Sequence, residues 1–143
     1  MSEVSETIID WEAFSGARSD LGADFVRILG YFREDGAKSV AAIEDAMRAQ
    51  DAVALVLPAH TLKGEASQFG AEALADLAEK IENIARQSIE WRQTPDEALP
   101  HVVKLRALFT DTLAAFERET NPLVERRGFG RKTESANQRF GQI

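Results

Sequence analysis

The 143-residue chain reads as an all-α protein: an up-and-down antiparallel four-helix bundle with a short N-terminal helix and a flexible C-terminal tail. Three observations predict it. Apolar residues recur at helical spacing over long stretches. β-branched runs with strict alternation are absent. Proline and glycine are sparse, so few breaks interrupt the periodic segments.

Residues 1–9 form a lead, residues 10–120 the bundle and residues 121–143 a basic tail. Residues 10–17 predict the short leading helix. Asp20 stands where it can cap a second helix starting near Leu21. That helix carries the apolar stripe Phe25, Ile28, Leu29, Phe32, Val40, Ile43 and Met47, and Gly36 is tolerated inside it. Asp51 is the next cap, for a third helix over residues 52–69. Pro58 lies inside that stretch, where proline costs about 3 kcal/mol or more. A later start, with Pro58 in the first turn, is the alternative. Gly70 marks the end. A fourth helix spans residues 71–89, with Leu74, Leu77, Ala78, Ile81 and Ala85 on one face. Thr94-Pro95 signals the fifth start. Its face is Ala98, Val102, Leu105, Phe109, Thr112 and Phe116, and Asn121-Pro122 stops it.

Composition excludes several classes. With no cysteine, thiolate metal sites, disulfides and cysteine nucleophiles are ruled out. No apolar run approaches the ~20 residues of a membrane span. Two acids and no base precede the first apolar pair, the reverse of a secretory signal, so the expected location is the cytoplasm. The net charge of −7 argues against nucleic acid as a partner. Residues 121–143 hold five bases and two acids, a net +3, so the preceding 120 residues carry −10.

The segment Ala59-His60-Thr61-Leu62-Lys63-Gly64-Glu65-Ala66-Ser67-Gln68-Phe69-Gly70 carries the chemistry. Projected at ~100° per residue, residues Ala59, Leu62, Ala66 and Phe69 all fall within about 40° of Leu55 and form the core face. His60 projects at about 140°, Ser67 at about 120°, Gly64 at about 180° and Lys63 at about 80°. The histidine therefore points away from the core. Gly64, one turn on, costs about 1 kcal/mol relative to alanine in a helix and opens space beside the ring. Val53, Val56 and Leu57 lie on or near the same outward side. They read equally as an apolar docking patch and as a surface buried under the N-terminal helix.

A neutral imidazole near pH 7 is a good nucleophile towards phosphorus. Lys63 supplies a positive charge for a phosphoryl group on His60. The sequence has no Gly-x-x-x-x-Gly-Lys-Ser/Thr and no Gly-x-Gly-x-x-Gly, so the phosphate must come from a partner that already holds it.

These residues resemble the histidine-containing phosphotransfer (Hpt) domain, whose motif is His-x-Leu-Lys-Gly with a second glycine six residues later. Here those are His60, Leu62, Lys63, Gly64 and Gly70. The resemblance continues through Ala71, Leu74 and Glu79-Lys80-Ile81-Glu82, and covers about residues 10–118. It implies a helical bundle with an exposed histidine in its middle. It implies a phosphorelay protein that accepts a phosphoryl group on His60, through Nε2, and passes it to or from an aspartate of a response-regulator receiver domain. The implied partners are receiver domains and a sensor or hybrid histidine kinase, with no nucleic acid and no membrane. No autonomous kinase or phosphatase activity is implied; the protein needs no cofactor or metal of its own, and Mg²⁺ belongs to the receiver. Lys63 resembles the phosphate-stabilising cation and Gly64 the residue that gives the receiver access. Ser67 and Gln68 lie near the site. Glu82 and Arg86 fall where members place a polar partner for the histidine. Glu65 departs from the pattern, where a serine or small residue is usual, and adds negative charge near the site.

Simpler readings stand beside these. Glu82 and Arg86 are four apart, the spacing of a surface ion pair. His101 is an ordinary histidine, and Trp11, Phe14 and Trp91 are packing residues. A sensor-kinase dimerisation region would place an acid directly after the histidine, where Thr61 stands. A di-metal carboxylate bundle needs a glutamate three residues before a histidine, where Leu57 and Ala98 stand. An adaptor or inhibitor bundle that binds a receiver or kinase without transfer is the remaining alternative. A monomer is expected.

Overall fold

A computed structural model describes residues 8–120. Its helices are α1 (Trp11–Leu21), α2 (Phe25–Arg48), α3 (Ala52–Gln68), α4 (Glu72–Glu90) and α5 (Leu99–Thr120), with single 3-10 turns at Gly22–Asp24 and Asp96–Ala98. No strand occurs among the described residues, and none of their helices is long and apolar enough to cross a membrane. The chain divides into two compact units, Met1–Thr112 and Leu113–Ile143. Of the second, the described part is the end of α5, where Ala115 and Phe116 are buried and Thr120 Oγ1 donates to the Phe116 carbonyl at 3.0 Å. Everything that follows lies within the first. The expected basic tail, residues 121–143, and most of the lead fall outside the described residues.

Asp10 starts α1: its carboxylate accepts from the backbone N–H of Glu12 and Ala13. The helix runs four residues further than expected and stops at Gly22, whose φ of 55° leaves the helical region. Asp20 is therefore in the last turn of α1 and caps nothing. The next helix starts at Phe25, where Asp24 pairs with Arg27 at 2.8 Å instead of capping.

The expected stripe on α2 is buried, with Ile28 half-buried. Gly36 is inside this one continuous helix for a packing reason. The Phe109 ring of α5 lies so close that an added Cβ would sit 2.6 Å from its Cε1. Asp51 caps α3 by accepting from Ala54 N–H at 3.1 Å. Pro58 is in the interior of α3, so the earlier of the two possible starts is the one adopted.

α2, α3 and α4 end alike. At each end a left-handed residue (Gln50, Gly70 or Arg92) is followed by an N–H that reaches five residues back, from Asp51 to Ala46, Ala71 to Ala66, and Gln93 to Ser88. These tight reversals hold successive helices antiparallel. The Thr94-Pro95 start is displaced. Pro95 precedes a 3-10 turn without a side-chain cap, and α5 follows from Leu99. The predicted inward positions Ala98, Val102, Leu105, Phe109 and Thr112 are all buried.

A chain of edge-on and tilted rings runs through the core: Trp11–Phe14, Phe14–Phe25, Phe25–Phe69, Phe69–Phe32 and Phe32–Phe109, with centroids 5.1–6.0 Å apart. Phe14 packs as expected, whereas Trp91 does not: it is 58% exposed after the end of α4. Arg106 on α5 forms a two-pronged pair with Glu44 on α2 at 3.0 and 2.7 Å.

Candidate phosphotransfer site

α3 and α4 lie side by side, joined through Phe69, Gly70 and Ala71. His60 and Glu82 are each eleven residues from Ala71, so equal rise along the two antiparallel helices brings them level. The core face of α3 is the one projected: Leu55, Ala59, Leu62, Ala66 and Phe69 are buried, and His60 and Gly64 are exposed.

Glu82 is the centre of the site. Its side chain is 5% exposed, and three cationic or potentially cationic groups converge on it. His60 Nδ1 lies 3.0 Å from Oε2. Arg86 donates to the same oxygen through Nε at 2.9 Å and reaches it with its terminal nitrogen at 2.8 Å. Lys63 Nζ lies 3.2 Å from Oε1, an ion pair without hydrogen-bond alignment. Burial alone pushes the Glu82 carboxyl up, but Arg86, Lys63 and His60 together outweigh it and hold the carboxyl below its ordinary value. A carboxylate facing Nδ1 selects the tautomer with the proton there. Nε2 is then the nitrogen with a free lone pair. The ring remains 57% exposed, and an added Cβ on Gly64 would meet nothing within 4 Å.

The remaining candidates divide. Glu82 makes both the expected ion pair with Arg86 and a contact to His60, so the two readings describe one arrangement. Ser67 and Gln68 make no hydrogen bond to His60; they line separate clefts beside Ala13 of α1. Val53 and Leu57 are 68% and 71% exposed and Val56 is half-buried, which removes the reading that α1 covers them. Leu57 also borders a groove of about 630 Å³ between α2 and α3, walled by Ala42, Ala46, Pro58 and Thr61. Glu65 does not burden the site as expected. It is on the flank of α3 opposite Lys63, turned towards Asp35 of α2, with Oε1 buried and lacking a hydrogen-bond partner among the described residues. The pairing of Lys63 with Glu82 escaped the sequence reading. The signal for it is the count from Ala71, eight residues to Lys63 and eleven to Glu82, which sets the lysine one helical turn from the level of Glu82, within reach of its long side chain. Among the described residues no cluster of three His, Asp or Glu side chains is placed to hold a metal ion.

The family model of the Hpt domain matches residues 27–119, well over half of the chain. The chain belongs to the Hpt family. Its role is therefore histidine phosphotransfer within a phosphorelay. The crystal structure of histidine-containing phosphotransfer protein B from Pseudomonas aeruginosa PAO1 shares the Hpt helical-bundle fold. It aligns with a TM-score of 0.69 at 24% identity, over 78% of this chain and 93% of that one. No curated protein sequence matches. The Hpt match begins within α2, so α1 lies outside it.

Proposed function

We propose that His60 is the phosphoacceptor and that the phosphoryl group moves between its Nε2 and an aspartate of a receiver domain. The observation that carries this is the Nδ1 contact to buried Glu82 on a ring that is otherwise open to solvent. The Nε2 lone pair attacks the phosphorus of the receiver's acyl phosphate, the P–O bond to the aspartate breaks, and the carboxylate leaves. The ring gains a positive charge, which Glu82 balances through the Nδ1 proton. Lys63, one turn along the same helix, offsets the charge of the incoming phosphoryl oxygens. Gly64 leaves room for the receiver's active-site loops, and Val53, Val56 and Leu57 form an apolar shoulder on which the receiver rests. Mg²⁺ is supplied by the receiver. A sensor or hybrid kinase loads the relay, and the protein acts as a cytoplasmic monomer that presents one histidine to one receiver.

The test is transfer of labelled phosphate from a charged receiver domain or hybrid kinase to the wild type, to His60→Ala and to His60→Gln. Acid-labile, base-stable label on the wild type alone is the expected result. Label that survives in His60→Ala overturns the assignment. Receiver binding without label on the wild type points instead to an adaptor or inhibitor.

A further inference from the structure

The site holds two cations beyond the histidine–carboxylate pair, Lys63 and Arg86. Glu82 alone, facing Nδ1, would favour a protonated imidazole, because a carboxylate stabilises an adjacent cation. A protonated ring has no lone pair at Nε2 and cannot attack phosphorus. The charged groups that bear on Glu82 are Arg86 on its own helix and Lys63 and His60 on α3. Glu82 is one anion held by two fixed cations, so Glu82, Arg86 and Lys63 together carry +1. Arg86 is also placed at the decisive atom, since it shares Oε2 with His60 Nδ1 while Lys63 stands at Oε1.

We propose that Arg86 is a positioning residue for phosphoryl transfer: by occupying Glu82 Oε2 with a permanent cation, it keeps the His60 imidazole neutral, with its proton on Nδ1 and its lone pair on Nε2. Arg86 acts through Glu82 and need not touch the phosphoryl group. A lysine-length cation suffices for the charge effect, whereas a neutral residue does not. This inference rests on His60 being the acceptor.

The experiment uses the full chain and phosphoramidate, a small donor that needs no partner protein. Nε2 attacks phosphorus, the P–N bond breaks and ammonia leaves, so the rate reports the ring itself. Rates are measured from pH 5 to 9 for the wild type, Arg86→Lys, Arg86→Gln and His60→Ala, alongside ¹⁵N spectra of the His60 ring. In Arg86→Gln the acid limb of the profile should move to higher pH by about 0.5–1 pH unit, the size expected for removing one charge near a partly exposed ring. The rate near pH 5, on the acid limb, should fall about three- to tenfold, and the rate at pH 9 should stay within about twofold. Arg86→Lys should keep the wild-type profile. The ¹⁵N signals should show a neutral, Nδ1-protonated ring at pH 7 in the wild type and an increased protonated fraction in Arg86→Gln. A uniform loss at every pH, or an unmoved acid limb and unchanged ring signals in Arg86→Gln, overturns the proposal and leaves Arg86 as an ordinary helix-surface partner. Label on His60→Ala would instead overturn the acceptor assignment, so the two failures are distinguishable.

Discussion

Two glutamates, one at each flank of α3, have opposite fates. Glu82 is buried but surrounded by cations, and its carboxyl is held below the ordinary value of 4.5. A depressed folded value means its stabilising contribution is complete above the unfolded value and is lost as pH falls through the folded one. The cluster around His60 is therefore intact at neutral pH and unties in acid. Glu65 is pushed the other way, first by burial and then by Asp35. With a raised folded value, the folded state holds the proton more tightly, and stability drops as pH rises from 4.5 through that value. Glu65→Gln should thus stabilise the protein at pH 7 by about 0.5–1 kcal/mol, since an amide can donate to Asp35 and leaves no buried charge. The gain should vanish near pH 4, where the carboxyl is protonated. Urea unfolding at both pH values checks this; an equal gain at both would show that the acid pair is not its source.

At the scale of the helix, the end of α3 matters more than its start. Gly70 has φ of 77°, and its carbonyl accepts the Asp10 N–H at 2.7 Å. An added Cβ would stand 2.5 Å from the Asp10 carbonyl oxygen, which is backbone and cannot swing aside. Gly70→Ala should cost about 2–4 kcal/mol, combining left-handed strain with displacement of α1. Because the same turn sets the level of His60 against Glu82, the variant should also lower the rate of phosphorylation; thermal unfolding and label uptake together test it. Gln50 and Arg92 adopt the same left-handed conformation without being glycine, which is why neither stop stood out in the sequence. The N–H that follows each of them satisfies an orphan carbonyl of the helix end, offsetting the backbone strain.

On the scale of the molecule, α3 is apolar on two sides. Its inner face builds the core, and Val53 and Leu57 extend an exposed apolar surface on the same side as His60. Val53→Lys and Leu57→Lys should change stability by no more than about 0.5 kcal/mol, because both side chains are already in water. Phosphorylation by phosphoramidate should be unaffected, while transfer from a receiver should slow about tenfold, as when an apolar anchor worth ~1.4 kcal/mol is lost. Equal rates from the receiver would remove this surface from the docking site. The chain-entry helix α1 sits at the Gly70 end of the bundle through Phe14 and Phe25, and so leaves that surface uncovered.

Helical periodicity and the short links were enough to determine an antiparallel bundle, because local spacing decides which face of each helix is apolar. The projection of α3 likewise determined that His60 points outward with Lys63 and Gly64 beside it. The partner of the histidine was legible only as a region: the spacing of Glu82 and Arg86 by itself read first as a surface ion pair. Tertiary structure decided that Glu82 is buried and that His60, Lys63 and Arg86 all meet on it, since that depends on the level at which two antiparallel helices align. It also decided that Glu65 turns to Asp35 and that Val53 and Leu57 stay exposed. Those outcomes follow from which neighbour covers a helix flank, and the spacing of residues within one helix carries no information about its neighbours.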